Sequence, residues 1–200
     1  KTVRHLKLAA RAHGIAHTAT PSYLVLYVNS SCNLACEHCS VHANLNRPDD
    51  LRTSEIVKLS GELGQLESLH LTGGEPMLRQ DLPQICGQFI RHNQLKQLSI
   101  STNGYHVAQT TGAVERLLAH REFERLTIEI SLDGTAESHN RFRGDELSFH
   151  NAIQTYYGLA ALARRDARLR LRVMSTVTRD NLDELERLSH YLYERCPQIE

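Results

Sequence analysis

"YLVLYVNSSCNLACEHC" (residues 23–39) is the stretch on which the reading of the chain turns. Its first seven residues are a short apolar run rich in β-formers, with the length of a strand. The run breaks at Asn29-Ser30-Ser31 and leads straight into Cys32, Cys36 and Cys39. A strand that delivers clustered thiols at its C-terminal end puts reactive groups where parallel α/β folds keep them.

The same pattern recurs along the chain. "LESLHLTGGEP" (66–76), "LKQLSISTNG" (95–104), "LTIEISLDG" (126–134) and "LRLRVMSTVTRDN" (169–181) are further β-rich runs that stop at turn signals. Helical stretches separate them. In 53–66, Ile56, Leu59, Leu63 and Leu66 share a face, with Thr53 or Ser54 as N-cap. Helices are also expected over 81–92 with Pro83 in the first turn, over 113–120 and over 148–165. A last helix over 181–195 opens at Asn181, with Glu184 three residues on as a variant capping box. Strands alternating with helices imply right-handed crossovers and a parallel sheet. A curled half-barrel and an open doubly wound sheet both satisfy the pattern, and strand order is not readable. In either case the motifs at the strand ends converge on one face.

The 200 residues suggest one domain with an appendage; 40% are hydrophobic and 23% charged, ordinary for a globular chain with a core. Residues 1–20 read as a basic helical extension and 21–200 as the core domain. The formal net charge is zero, which gives no electrostatic footprint for nucleic acid or an anionic membrane. No apolar run approaches the roughly 20 residues that span a bilayer. The chain opens without Met or a signal-peptide pattern, and both ends read as cut from a longer chain. Five cysteines, three of them clustered, indicate metal chemistry in a reducing, cytoplasmic compartment rather than a disulfide framework. Cys86 and Cys196 read as core residues.

Three neighbouring thiols leave several readings open. An iron–sulfur cluster normally takes four cysteines, one per iron, so three leave one iron open. Zinc would take Cys32, Cys36, Cys39 and His42 as a C-x3-C-x2-C-x2-H set. Simple packing of small apolar side chains needs no metal at all.

The motifs together resemble those of the radical S-adenosylmethionine (radical SAM) enzymes. "CNLACEHC" (32–39) is similar to that family's C-x3-C-x2-C signature at the end of the first strand. "TGGEP" (72–76) resembles its second motif and "STNG" (101–104) its third-strand end. "SLDGTAESHNRFRG" (131–144) is similar to the fourth-strand segment of the SPASM/twitch subgroup, which includes peptide and sulfatase maturases and the molybdenum-cofactor cyclase. The resemblance runs from about Ser22 to about Leu188. It implies a partial (β/α)6 TIM-type barrel of parallel strands, here truncated before a sixth strand expected just after Glu200.

By the same resemblance, Cys32, Cys36 and Cys39 ligate three irons of a [4Fe-4S] cluster, and S-adenosylmethionine chelates the fourth. Gly73 and Gly74 let the backbone approach the methionine moiety, and Glu75 supplies a carboxylate near its amine. Ser131 corresponds to the ribose-binding hydroxyl, and Arg143 to an arginine near the cofactor carboxylate. His38 stands at a usually aromatic position beside the adenine. Asn103 and Asp133 face the cofactor or shape their turns. The implied activity is reductive cleavage of S-adenosylmethionine to a 5′-deoxyadenosyl radical, which takes hydrogen from a substrate. The subgroup points to a peptide, protein or peptide-derived cofactor precursor, with a small molecule or nucleotide as the alternative. An electron donor such as flavodoxin or ferredoxin is the implied partner; nucleic acid and membrane are not.

Overall fold

The computed structural model describes residues 20–200. Residues 1–19 of the expected helical extension lie outside them. Five strands form one sheet: β1 (Tyr23–Tyr27), β2 (Ser68–Thr72), β3 (Gln97–Thr102), β4 (Arg125–Ser131) and β5 (Leu169–Met174). Each strand pairs in parallel with the next, in the order β1-β2-β3-β4-β5. The sequential order decides between the two architectures left open above. A doubly wound sheet reverses its strand order, whereas this one runs in a single direction, as in a barrel segment.

The register explains the single direction. Leu24, Leu69, Leu98, Leu126 and Leu169 lie side by side across all five strands, and Leu26, Leu71, Ile100, Ile128 and Leu171 form a second row. All but Leu24 are buried, and Leu24 packs against the same core. Helices α1 (Thr53–Glu62), α2 (Leu82–Asn93), α3 (Val107–Leu118), α5 (Ser148–Ala163) and α6 (Leu182–Arg195) contribute Ile56, Phe89, Leu117, Tyr156 and Leu188 to that core. Residues of the opposite parity make a different face. Tyr23, Val25 and Tyr27 are exposed, and Ser68, His70, Ser99, Ser101, Arg170 and Arg172 are polar. All the aliphatic strand residues except Val25 of the edge strand β1 therefore turn to one side, which is the condition for helices outside a curl rather than on both faces of an open sheet.

Beside β5, Ile199 forms a parallel bridge with Leu171, and the Glu200 N–H donates to the Leu171 carbonyl at 3.0 Å. One isolated bridge thus extends the parallel pairing beyond β5 at Ile199.

Two capping expectations are corrected. Thr53 is the first residue of α1 rather than its cap, and its hydroxyl donates to Asp81 instead. Asn181 is the N-cap of α6 but forms no box with Glu184, whose carboxylate takes the Thr135 hydroxyl. α3 starts at Val107, six residues before the expected 113–120. A further helix, α4 (Ala136–Arg143), was not expected. Cys86 and Cys196 lie in the core as read from the sequence.

Candidate active site at the C-terminal edge of the sheet

The cysteine loop is tied down on three sides. The Val28 N–H donates to the Thr72 carbonyl at 2.9 Å, extending the β1–β2 ladder to the loop. The loop after β2 then runs against it. Gly74 N–H donates to the Asn29 carbonyl at 2.9 Å, Glu75 N–H to the Ser31 carbonyl at 2.7 Å, and Asn29 Nδ2 to the Glu75 carbonyl at 3.0 Å. On the second side, Ser30 N–H donates to Asp50 Oδ1 at 2.6 Å and Cys32 N–H to Asn46 Oδ1 at 3.0 Å. On the third, Glu37 N–H donates to the Phe142 carbonyl of α4 at 2.9 Å.

This arrangement gives a physical reason for the paired glycines. A Cβ on Gly73 would overlap the Asn29 carbonyl, and one on Gly74 the carbonyls of Ser30 and Ser31. Gly73 also sits at φ +142°, where side chains are strained. Both residues line the cavity described next, but what excludes their side chains is the cysteine loop behind them.

Cys32, Cys36 and Cys39 line one cavity of about 300 Å³, together with His38, Gly73, Gly74, Glu75, Asn103, Ser131 and Arg143. All the site residues expected from sequence are thus brought together except Asp133, which is fully buried behind Arg143 and does not line the cavity. Thr176, just after β5, also reaches the cavity and carried no motif that marked it.

Glu75 is buried and its carboxylate is engaged by the protein. Oε1 accepts from Thr102 Oγ1 at 2.8 Å and from Met77 N–H at 3.0 Å, and Oε2 from Asn103 N–H at 2.6 Å. It therefore staples the end of β2 to the end of β3. Asn103 does two jobs. Its Oδ1 accepts from Tyr105 N–H at 2.9 Å, which builds the turn, and its Nδ2 donates to Asn33 Oδ1 of the cysteine loop at 3.0 Å. The Ser131 hydroxyl has no hydrogen-bond partner among the described residues and opens on the cavity.

Behind the cysteines lies a buried charged cluster. Asp133 Oδ2 accepts from Arg143 Nε at 2.8 Å and Nη2 at 2.6 Å, while Oδ1 accepts from Thr176 N–H at 2.8 Å. The remaining Arg143 nitrogen, Nη1, lies 3.7 Å from Cys36 Sγ. His38 Nε2 is 3.5 Å from Asp133 Oδ2, and its ring meets Phe142 edge-on with centroids 5.8 Å apart. Burial pushes the Cys36 thiol up, and the Arg143 guanidinium opposes that shift. Burial likewise raises the Cys32 thiol.

The residues suit a cluster with one open iron. Three soft donors share a cavity wall, none is in a disulfide, and polar groups from the ends of β2, β3, β4 and β5 line the same cavity. The zinc set is not assembled: His42 is exposed and outside the cavity, and no group of three or more His, Cys, Asp or Glu among the described residues is arranged for a single metal ion.

Residues 26–192 match the Radical SAM superfamily. The chain belongs to that superfamily. It is 31% identical over 169 residues to mycofactocin maturase MftC of Mycobacterium ulcerans, covering 83% of this chain and 42% of the relative. It is 37% identical over 93 residues to the mitochondrial GTP 3',8-cyclase of Arabidopsis thaliana, covering 44% of this chain and 24% of the cyclase. The chain thus spans less than half the length of either relative. Among solved structures, Streptococcus suis SuiB bound to S-adenosylmethionine superposes with a TM-score of 0.66 at 19% identity, over 96% of this chain and 44% of SuiB. That likeness confirms the partial-barrel fold. The cofactors expected from the sequence, a [4Fe-4S] cluster and S-adenosylmethionine, are those of the superfamily. No helix among the described residues is long and apolar enough to cross a membrane.

Proposed function

We propose that this radical SAM protein acts on a peptide, or on a cofactor precursor made from one. The observation that carries the radical chemistry is the meeting of three free thiols with the glycine-rich loop, Ser131 and Arg143 around one cavity. The peptide reading rests on the likeness to a maturase over most of the chain. The likeness to a GTP cyclase, at higher identity over a shorter stretch, supports a nucleotide as the second reading.

In this reading Cys32, Cys36 and Cys39 hold the cluster. Bound together, cluster and S-adenosylmethionine supply a 5′-deoxyadenosyl radical for hydrogen abstraction, after one electron from a flavodoxin- or ferredoxin-type donor. The chain's own residues bind and orient. Ser131 offers its unpaired hydroxyl to the ribose, and His38 its ring face to the adenine. The backbone of Gly73 and Gly74, which lines the cavity, lies within reach of the ammonium. Asn103 and Glu75 fix the loops around it. Asp133 holds Arg143 from behind.

Anaerobic reconstitution with iron and sulfide tests this. The expected protein is brown and releases 5′-deoxyadenosine from S-adenosylmethionine once reduced, and Cys36→Ala abolishes both iron uptake and release. A colourless protein, or a Cys36→Ala variant with undiminished iron, overturns the radical reading. Adding GTP separates the substrates: the peptide reading expects no GTP-dependent rise in 5′-deoxyadenosine, and a several-fold rise favours the nucleotide.

A further inference from the structure

The Asp133–Arg143 pair has a geometry that cofactor binding alone does not require. All three of the guanidinium's nitrogens are engaged inside the protein. Nε and Nη2 converge on one carboxylate oxygen, at 2.8 and 2.6 Å, and Nη1 points at Cys36 Sγ at 3.7 Å. The carboxylate is itself immobile. Its other oxygen takes the Thr176 N–H, and the Asp133 carbonyl accepts from Asn181 Nδ2 at 2.9 Å. Arg143 is the last residue of α4, and the chain turns there through Gly144 at φ +70°. The guanidinium is therefore gripped at its base by the helix end and at its head by Asp133. Its one direction of reach is the sulfur.

Resting on the radical SAM reading, we infer that Asp133 and Arg143 set the reduction potential of the cluster by fixing an N–H···S hydrogen bond on the Cys36 thiolate. The physical basis is general. Hydrogen bonds to the sulfurs and the local charge are among the protein's levers on an iron–sulfur potential. A donor on the thiolate withdraws electron density and eases the arrival of one more electron. Arg143 acts directly on the ligand. Asp133 does not line the cavity and is a positioning residue. The pair carries no net charge, so the effect comes from its orientation rather than from a bare positive charge beside the cluster.

The test is an EPR-monitored redox titration of the reconstituted chain with and without the pair. Arg143→Met removes the donor but strands a buried carboxylate, which threatens folding. The double variant Asp133→Asn/Arg143→Met removes both charges together, keeps the local net charge at zero and avoids that problem. The midpoint of the double variant is expected below that of the parent, with iron content unchanged. Electron–nuclear double resonance of the reduced parent should show a proton coupling that exchanges in deuterium oxide and is absent from the double variant. A midpoint that stays level or rises, at full iron content, overturns the inference and leaves the radical reading intact. A parent chain that takes up no cluster overturns the radical reading, and the inference with it.

Discussion

His139 shows how burial of one side chain reaches into the pH dependence of the fold. It is 1% exposed, and its Nδ1 accepts the Asp133 N–H at 3.1 Å, so the ring is held neutral with its proton on Nε2. Burial, aided by the Arg143 charge, lowers it to about 4, against the opposing pull of Asp133. In the unfolded chain it titrates near 6.5. Between those values the unfolded state binds the extra proton, so stability falls as pH falls. The expected slope is about 1.4 kcal/mol per pH unit on the acid side of 6.5, flattening near 4. Urea unfolding at pH 7.0, 6.0 and 5.0 measures it. His139→Gln keeps an acceptor for the Asp133 N–H and should remove that part of the slope; an unchanged slope would assign it to other groups.

Among the elements, the junction of α1 and α2 depends on a side chain with no place in the hydrophobic pattern. Asn93, fully buried at the end of α2, points Nδ2 at the carbonyls of Ser60, Leu63 and Gly64, at 3.0, 2.8 and 2.8 Å. Ser60 offers an orphan carbonyl of the last turn of α1, and Leu63 and Gly64 follow directly after the helix. Asn93→Leu strips them of their donor, at a cost of about 1–3 kcal/mol. For a chain of this size each kcal/mol lowers the melting temperature by about 2–4 °C, which a thermal melt will resolve. Asn93 also shows what the sequence did not disclose. The five strands were legible because their β-rich runs stop at turn signals, which for β2, β3 and β4 are Gly-Gly, Asn-Gly and Asp-Gly. The start of α3 was hidden because Thr110-Thr111-Gly112 are poor helix formers, and packing overrides propensity there. The helix α4 was hidden because "AESHNRFR" offers Phe142 as its sole large apolar residue, so it has no periodicity to detect. Thr135 before it and Gly144 after it were the available punctuation. The capping box at Asn181 failed because Asn181 is drawn inward to the Asp133 and Thr176 carbonyls.

For the molecule as a whole, the sheet order makes one face oily and the other polar. The helix-covered side carries the two aliphatic rows. The opposite side carries His70, Ser101 and Glu129, joined by contacts of 2.8 Å from His70 Nε2 to Ser101 Oγ and 3.2 Å from Ser101 Oγ to Glu129. Closed (β/α)8 barrels fill that side with branched aliphatics. Here it is a polar surface beneath the cysteine cavity, which Ser101 also lines. The site itself was legible where a motif sits at a strand end, and was not where contact depends on the curl. Thr176 reaches the cavity because β5 is the neighbour of β4, a fact of strand order that no local pattern contains. The separate duties of Glu75, Asn103 and Asp133 were equally invisible, since a carboxylate or amide in a turn looks the same whether it faces inward or outward.

The cysteine loop and the Gly73–Gly74 loop touch backbone to backbone, and neither contact involves a thiol. Their fit is therefore independent of the metal load. Many small metal-binding domains are unfolded until the ion arrives, so that chelation and denaturation are the same event. Here, stripping iron with a chelator should leave the far-ultraviolet circular dichroism spectrum as it was, and resupplying iron and sulfide should restore the brown colour without a denaturing step. A protein built this way survives damage to its cluster as an intact vessel, ready to be recharged.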